Sequence, residues 1–473
     1  MAFVFYDTET TGISTGFDQI LQFAAIRTDD DLKEVDRIEM RCRLHPHVVP
    51  SPGALAVTGM TIDKVLDEAL PCHYEMIREI RAKLIDWSPA TFIGYNSLRF
   101  DEELLRKALF RTLHAPYLTN TGGNCRADAL VLVQLASEFA PECLKLPTSD
   151  KGNLIFKLDQ IAPLNGFNHA NAHDALADVQ ATIHLAQCVR ERAPGLWQRF
   201  MQFATKASAQ QFLEDEDAVL LTEFYFNRPY HFVVAAIGRD PGNAAAVLAL
   251  DLQHDLDWLA SLPFDDLVKW LGRSPKKVRR VRTNACPSMA ALGDVPDHML
   301  GELGRAEVAE RAARLREDAP LKARLIEAAV ASATVYEDSP FIEEQIYTGG
   351  FLSREDEALM ERFHKVPWSE RPAIVERMTD ERLRYHGRLL IYEVAAEHLH
   401  DDYRKGIDPL MAERHLTDSP PKDTWTSLPQ ALADAEKMMV DAEPAKLDIL
   451  TGLRAHLLSR LERAKMATVT PGA

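Results

Sequence analysis

Two carboxylates directly follow an apolar run near the start of the chain. Residues 3–6, Phe-Val-Phe-Tyr, are aromatic or β-branched and favour a buried β-strand over a helix. Asp7 and Glu9 lie one residue apart, and on an extended backbone such positions face the same side. Two like charges on a buried strand are costly unless a cation lies between them, and Mg²⁺ prefers carboxylate oxygens. The pair therefore predicts part of a metal site, although a strand ending in an ordinary polar turn would show the same short motif.

The length and composition are those of a multidomain globular protein. The 473 residues predict roughly two to four domains, and 46% hydrophobic residues allow each domain its own core. Because no run approaches about eighteen apolar residues, we expect no membrane span, and because the first residues lead directly into a predicted strand, we expect no secretory signal. The six cysteines form no Cys-x-x-Cys pair and no zinc spacing, so free thiols and a cytoplasmic location are expected. The net charge of −17 argues against nucleic acid covering the whole surface, but it is compatible with a local basic groove.

Three further candidate residues accompany predicted secondary-structure elements. Residues 91–94 favour a short central strand, and Asp101 comes where a predicted helix over residues 102–113 begins. His173 lies at the entry of a later helix, with Asp178 about one and a half turns further along. Polar side chains at such positions can also simply cap free backbone N–H groups, and this alternative is open for Asp101 and His173.

A His-x-His pair follows a predicted antiparallel meander. Residues 20–27 and 37–44 favour the second and third strands of this meander. His45 and His47 come next, with a spacing that metal sites use and a proline between them. Because no carboxylate is near them in the sequence, a solvated loop is favoured over a metal site.

Taken together, the carboxylates and the histidine resemble the DEDD superfamily of 3′→5′ exonucleases, which have a ribonuclease-H-like fold. The matching motifs are Asp-x-Glu at Asp7 and Glu9, Asn-x-x-x-Phe-Asp ending at Asp101, and His-x-x-x-x-Asp at His173 and Asp178. The last spacing is typical of the histidine branch. This resemblance implies that Asp7, Glu9 and Asp178 hold two Mg²⁺ ions, with Mn²⁺ as an alternative, and that Asp101 supports the second ion directly or through water. It also implies that His173 is the general base and that Glu9 contacts the terminal 3′ hydroxyl.

The likeness extends beyond the nuclease motifs to the bacterial exodeoxyribonuclease I family. The matching segments are residues 22–29, 94–101, 171–182, 284–287 (Asn-Ala-Cys-Pro) and 347–351 (Tyr-Thr-Gly-Gly-Phe). The implied α/β architecture has an exonuclease domain over residues 1–193, an SH3-like β-barrel domain over 194–348, a C-terminal α-helical domain over 349–467 and a disordered tail over 468–473. Short β-runs between residues 219 and 250 suit such a barrel.

The activity that the family resemblance implies is specific. It is degradation of single-stranded DNA in the 3′→5′ direction by two-metal-ion hydrolysis, which releases 5′-mononucleotides and serves DNA repair and recombination. The resemblance also implies a monomer that binds the acidic C-terminal tail of single-stranded DNA-binding protein.

Basic residues outside the motifs are candidates for contacts with DNA. The resemblance suggests that Lys157 contacts substrate, although a lysine cannot bind phosphate in the bidentate manner of arginine. Residues 269–282 contain seven basic and no acidic side chains, which favours tracking of a phosphate backbone over an ordinary solvated face. The predicted DNA-binding residues are Arg99, Lys276, Lys277, Arg279 and Arg280. Residues 116–125 are poorer in aromatic side chains than the family pattern, so base stacking here would depend on others such as Tyr117.

Two other functions are compatible with parts of this sequence. An RNA 3′-end exoribonuclease or a polymerase proofreading exonuclease would share the motifs, which do not show how a 2′-hydroxyl is treated. The long C-terminal part favours the exodeoxyribonuclease I family over these. A catalytically silent DNA-binding protein is disfavoured because all five motif residues are present.

Overall fold

A mixed five-stranded sheet contains the N-terminal strand. The computed structural model describes residues 2–168, 173–334 and 337–469. The strands are β1 (Ala2–Thr10), β2 (Ile20–Thr28), β3 (Glu34–Arg41), β4 (Ala90–Gly94) and β5 (Cys125–Asp128), in the order β3-β2-β1-β4-β5. β2 is antiparallel to β1 and β3, whereas β4 is parallel to β1 and β5. The predicted meander and central strand are confirmed, although β3 ends at Arg41 rather than at residue 44.

Helices cover both faces of this sheet. The helices of this part of the chain are α1 (Pro52–Thr58), α2 (Ile62–Val65), α3 (His73–Asp86), α4 (Asp101–Arg111), α5 (Ala129–Phe139), α6 (Leu158–Leu164), α7 (Ala175–Arg192), α8 (Pro194–Gln202) and α9 (Lys206–Asp215), which packs on the second sheet instead. Alternate side chains of β1 divide between the two faces, as a strand requires. Phe3 and Phe5 join the core formed with α5, α7 and α8, whereas Val4 and Tyr6 join the core formed with α3 and α4.

A second, antiparallel sheet follows. Its strands are β6 (Val219–Tyr225), β7 (Arg228–Asp240), β8 (Asn243–Asp251), β9 (Val278–Arg282) and β10 (Met289–Ala291), in the order β10-β6-β7-β8-β9. Between β8 and β9 lie α10 (Leu256–Ser261) and α11 (Phe264–Gly272), and α12 (Arg305–Glu317) and α13 (Ala319–Ala331) follow β10.

The predicted closure of this second sheet into a barrel is not detected. In the described part of the chain, no strand pair joins β9 to β10, so the sheet is open. One face packs against α12 and α13, and the other packs against Leu213 of α9 and Phe203 just before this helix. Because helices cover both faces, the apolar side chains are buried without closure of the sheet.

The C-terminal part is helical, as predicted. It contains α14 (Arg354–Phe363), α15 (Arg371–Val375), α16 (Glu381–Ala395), α17 (Asp401–Leu416), α18 (Leu428–Met439) and α19 (Pro444–Val469). α17 and α18 were not predicted. Of the predicted disordered tail, residues 468 and 469 belong to α19 and residues 470–473 lie outside the described residues. No helix among the described residues is long and apolar enough to cross a membrane.

The last helices pack back onto the N-terminal part. Leu453 and Leu457 of α19 share a buried cluster with Leu55 of α1 and Leu21 of β2. Leu390 of α16 belongs to another cluster that includes residues from the first part of the chain. The loop between β3 and α1 is therefore enclosed by C-terminal helices.

A buried ionic network joins α4 to the sheet, and Glu102 is its centre. Glu102 is 1% exposed and accepts hydrogen bonds from Arg106 (2.7 Å), Arg126 (2.9 Å) and Thr119 (2.6 Å). We expect Glu102→Gln to lower the free energy of unfolding by about 3–5 kcal/mol, because the buried guanidinium of Arg126 would lose its counter-charge and that of Arg106 its nearer one. Chemical denaturation measures this change.

The matched control for this prediction is Glu103→Gln, one residue along the same helix. Glu103 contacts Arg106 at 3.3 Å, but its side chain is 26% exposed. Its replacement should cost about 1 kcal/mol or less. Equal losses for the two variants would contradict the assignment of Glu102 as the centre of the network.

Candidate active site

Three carboxylates from two elements meet at the end of β1. Asp7 and Glu9 lie on β1, and Asp178 lies in the first turn of α7, which packs across β1 and β2. One oxygen from each side chain lies within 4.8 Å of the others. The sequence-predicted group of Asp7, Glu9 and Asp178 is thus brought together by the fold.

Asp174 fixes the start of α7. Its side chain caps the helix by accepting from the N–H of Ala177 at 3.3 Å, and it also accepts from Arg41 (2.7 Å) and Gln22 (3.0 Å). These bonds tie the first turn of α7, and with it Asp178, to β2 and β3. The cap at this helix is Asp174, so capping does not account for His173.

Asp101 approaches the same strand from the other neighbouring element. β4 pairs with β1 only as far as Phe5, so the backbone of β1 beyond that point needs another partner. Asp101, at the start of α4 and 5% exposed, accepts hydrogen bonds from Thr8 N (3.1 Å) and Thr8 Oγ1 (2.5 Å). Asp101 is not one of the three residues whose oxygens lie within 4.8 Å of one another. Thr8 was not singled out from the sequence, because its role depends on where β4 ends.

Burial and mutual repulsion raise the pKa values of Asp7, Glu9 and Asp101. Burial raises the pKa of Glu9 to about 9, and the charges of Asp178 and Asp101 add to the rise. Burial likewise raises the pKa of Asp7 well above its usual range and that of Asp101 to about 7. A divalent cation relieves the repulsion that raises these pKa values. The oxygen-only donor set therefore fits a hard divalent ion such as Mg²⁺ or Mn²⁺.

This electrostatic cost predicts a pH dependence of stability in the metal-free protein. Because the folded-state pKa of Glu9 is raised from 4.5 to about 9, the folded state binds more protons than the unfolded state between these values. Proton binding by Glu9 therefore contributes to the free energy of unfolding. This contribution is fully present below about pH 4.5 and is lost as the pH rises towards 9. In EDTA, the midpoint of denaturation should fall less between pH 6 and pH 9 in Glu9→Gln than in the wild type. Saturating Mg²⁺ should remove most of this difference, and an identical pH response of both proteins in EDTA would contradict the prediction.

His173 has an unusual backbone conformation. It lies two residues before α7, is partly buried and has φ +67°, in the left-handed region that side chains other than glycine rarely adopt. Residues 169–172, which directly precede His173, lie outside the described residues. A strained residue at the entry of the helix that carries Asp178 is typical of functional sites.

The predicted DNA-binding residues differ in their exposure. Lys157, at the start of α6, and Arg99 are exposed. Lys277 is 8% exposed, donates to the carbonyl of Arg273 and lies 5.5 Å from the Trp270 ring.

Two further members of the basic cluster are engaged in ion pairs. Arg279 is also 8% exposed, pairs with Glu223 at 3.0 Å and lies 3.4 Å from the Phe232 ring. Arg280 pairs at 2.6 Å with Asp240, and half of its side chain is exposed. Lys276 is exposed and donates only to a backbone carbonyl among the described hydrogen bonds. The cluster thus combines packed and solvent-facing cations.

Comparison with known proteins supports a nuclease. A family model described as an exonuclease matches residues 4–186, which include all five motif residues. Exodeoxyribonuclease I of Escherichia coli K12 is 29% identical over 398 residues, covering 80% of this chain and 83% of the relative. Exodeoxyribonuclease I of Buchnera aphidicola subsp. Acyrthosiphon pisum is 30% identical over 301 residues, covering 61% of this chain and 72% of the relative.

The fold agrees over nearly the whole chain. The crystal structure of E. coli exonuclease I in complex with a dA16 oligonucleotide matches with a TM-score of 0.82 and 24% identity, covering 98% of this chain and 99% of that one. Both sheets and the C-terminal helices are included in that coverage. From its sequence relatives, its matched nuclease motifs and this shared architecture, the chain belongs to the exodeoxyribonuclease I family of DEDD exonucleases.

Proposed function

We propose that this protein degrades single-stranded DNA from its 3′ end by metal-dependent hydrolysis. The observation that supports this most directly is the meeting of Asp7, Glu9 and Asp178, with Asp101 anchored beside them through Thr8. The related exonuclease I has been crystallised with the oligonucleotides dA16 and dT13, which are single-stranded DNA. The residue roles below extend the family assignment to this chain.

The metal-binding residues are proposed as a set. Asp7, Glu9 and Asp178 would hold two Mg²⁺ ions, or Mn²⁺, and Asp101 would support the second ion directly or through water. Such ions, when bound, polarise a phosphoryl oxygen, lower the pKa of a water and stabilise the leaving oxygen.

The other parts of the reaction fall to side chains of this protein. Glu9 accepts a hydrogen bond from the terminal 3′ hydroxyl, which restricts attack to a free end. His173 takes a proton from the attacking water, since an imidazole can accept one near neutral pH. Water adds to phosphorus and the bond to the preceding O3′ breaks. The released nucleotide therefore keeps a 5′-phosphate, and the shortened strand ends in a new 3′ hydroxyl.

A cleft at the C-terminal end of α4 offers aromatic surfaces for bases. It has a volume of about 900 Å³ and lies between the region around Tyr117 and the segment containing Tyr347 and Phe351. Phe351 is 99% exposed and Tyr347 is 50% exposed. We propose that bases of the substrate stack here, which would offset the scarcity of aromatic residues in 116–125.

Contacts between exposed cations and phosphates should appear in the salt dependence of binding. We expect the double variant Arg99→Ala/Lys276→Ala to reduce the slope of log K against log salt for single-stranded DNA by about 1.4, or about 0.7 for each lost contact. Arg280 is less suitable for this test because its removal would leave Asp240 buried without its partner. Fluorescence anisotropy in EDTA, with salt varied, measures the slope.

The control for this measurement is Lys405→Ala. Lys405 lies on α17 with 78% of its side chain exposed. Its loss should leave the slope unchanged, because we assign it no phosphate contact. An unchanged slope in the double variant would exclude Arg99 and Lys276 from the DNA path.

Partners and surroundings are further parts of the proposal. A crystal structure described as SSB/exonuclease I in complex with an inhibitor matches this chain at 24% identity. We propose that this protein likewise binds the acidic tail of single-stranded DNA-binding protein and acts as a monomer.

All six cysteines are free, which suits the proposed cytoplasmic location. We also propose that domain boundaries lie at residues 193 and 348. The first domain is then of the ribonuclease-H-like type and the second of the SH3-like type.

The substrate class can be tested by competition. Degradation of a labelled single-stranded DNA should be inhibited by unlabelled single-stranded DNA and far less by RNA or blunt duplex of the same sequence. Stronger inhibition by RNA, with rapid RNA shortening, would assign the protein to the exoribonuclease alternative instead.

A further inference from the structure

His45 and His47 do not lie in a solvated loop, because a carboxylate from the C-terminal helices reaches them. Glu393 of α16 places Oε2 3.6 Å from Nδ1 of His45 and Oε1 3.4 Å from Nε2 of His47. The three side chains are only 13%, 17% and 10% exposed, so the prediction of solvated histidines is wrong. We infer that His45, His47 and Glu393 form a second metal site, for a transition-metal ion such as Zn²⁺, which links the loop after β3 to α16.

The spacing of the ligand atoms suits a tetrahedral ion. Two ligands at about 2.0–2.1 Å from zinc lie about 3.3–3.4 Å apart when the geometry is tetrahedral. Glu393 reaches His47 with Oε1 at 3.4 Å and His45 with Oε2 at 3.6 Å. One ligand atom from each of the three residues lies within 4.8 Å of the others, so either carboxylate oxygen needs only a small adjustment to share an ion with both imidazoles. The contact of His45 is too long for a hydrogen bond. Two imidazoles and one carboxylate also form the ligand set of zinc sites that keep a fourth position for water.

The histidine loop is held in place by its backbone. Gln19 accepts a hydrogen bond from the N–H of His45 at 2.8 Å. Arg460 of α19 donates to the carbonyls on either side of His47, at 2.6 and 2.8 Å. His415 lies 2.9 Å from the carbonyl of His47 itself. Rigid support of this kind orients ligands before an ion binds.

A small cavity beside the group contains buried nitrogens that need a partner. It has a volume of about 70 Å³, which is enough for an ion with a water. Within the described chain, Nδ1 of His47, Nε2 of His73 and Nδ1 of His386 have no hydrogen-bond partner, and all three residues line the cavity. His73 and His386 are 6% and 2% exposed, so leaving these atoms unpaired is costly. A water in the fourth position of the ion could donate hydrogen bonds to such nitrogens.

The charges around the cavity favour an ion with a strong preference for imidazole. Burial lowers the pKa of His45 to about 3, so its ring is in the neutral form that binds metals, and burial raises the pKa of Glu393 to about 8. Arg111 lies in the same cavity and opposes a cation, whereas Glu343 there is already paired with Arg414 at 2.7 Å. Mg²⁺ has no preference for nitrogen and would not overcome the repulsion from Arg111. Zinc binds imidazole strongly and is therefore the favoured ion.

Zinc binding to chelator-treated protein tests the inference. Mg²⁺ in excess competes for the carboxylate site, and equilibrium dialysis with elemental analysis gives the zinc content. We expect one tightly bound zinc per chain in the wild type and in Asp178→Asn, which disrupts the carboxylate site. The affinity should fall at least about 100-fold in His47→Gln and in Glu393→Gln. Zinc should also raise the melting temperature of the wild type but not that of Glu393→Gln.

The matched control is His231→Gln, because His231 contacts a glutamate at a similar distance but has no second imidazole beside it among the described residues. His231 lies 3.3 Å from Glu138, so His231→Gln removes a comparable histidine and should keep the bound zinc. Glu393→Gln is the variant least expected to disturb folding, because its neutral amide resembles the protonated carboxyl. Zinc binding that is unaffected by His47→Gln and Glu393→Gln, or that disappears in Asp178→Asn, would overturn the second site.

Discussion

The substitution Asp178→Asn is expected to reduce hydrolysis of single-stranded DNA by about 10³-fold or more. Asp178 is the one member of the three-carboxylate group that comes from α7, so its loss opens the group on that side. Metal ions at such sites supply several kcal/mol of transition-state stabilisation, and each 1.4 kcal/mol or so corresponds to a factor of about ten. Single-turnover degradation in Mg²⁺ measures the loss.

Asp174→Asn is the matched control for this variant. It removes the same formal charge from the same turn of the chain, but asparagine caps a helix as well as aspartate does. We expect its rate to fall by less than about tenfold, since Asp174 contacts Arg41 and Gln22 rather than completing the carboxylate group. Because Asp178→Asn removes repulsion among buried carboxylates, it should not lower the melting temperature in EDTA. Equal rate losses in the two variants would contradict the metal-binding role of Asp178.

The second large effect is expected at His173. Loss of a general base typically lowers turnover by about 10²–10⁴-fold. We expect this loss in His173→Asn, with little change in the affinity for Mg²⁺ or in KM, because the carboxylates and the DNA contacts are retained.

Asparagine is the informative replacement because of the backbone. His173 has φ +67°, and asparagine adopts that region more readily than most residues. His173→Ala removes the imidazole and also strains the backbone, so it should be at least as inactive as His173→Asn. An active His173→Asn beside an inactive His173→Ala would show that the conformation matters and that the imidazole is not the base.

The sequence showed the local parts of the carboxylate site, and the family resemblance brought these parts together. Asp7 and Glu9 share a strand face whatever the rest of the fold does, and His173 and Asp178 depend only on where one helix begins. Thr8 was not predictable in this way, because its partnership with Asp101 depends on β4 ending early. Glu102, the centre of the ionic network, was not predicted either, because its partners Thr119 and Arg126 are distant in the sequence.

The sequence patterns did not show which side chains are buried or which distant segments supply their partners. The basic run over residues 269–282 stays a prediction of a DNA-binding face, but its side chains are not equivalent. Alternation along β9 directs Arg279 towards Phe232 and Glu223, while Arg280 points outwards to Asp240. His45 and His47 were expected in solvent because their carboxylate partner, Glu393, is distant in the sequence. Sequence periodicity shows which side chains can share a face, but not which distant element will cover it.

The central claim is metal-dependent removal of nucleotides from the 3′ end of single-stranded DNA. The most direct test follows one oligonucleotide labelled at its 5′ end and the same oligonucleotide labelled at its 3′ end. The wild type in Mg²⁺ should produce a ladder of shortening 5′-labelled strands and immediate release of the 3′ label as a mononucleotide, with neither product in EDTA or from Asp178→Asn. Release of the 5′ label first, internal cuts, or tight binding without degradation would contradict the account.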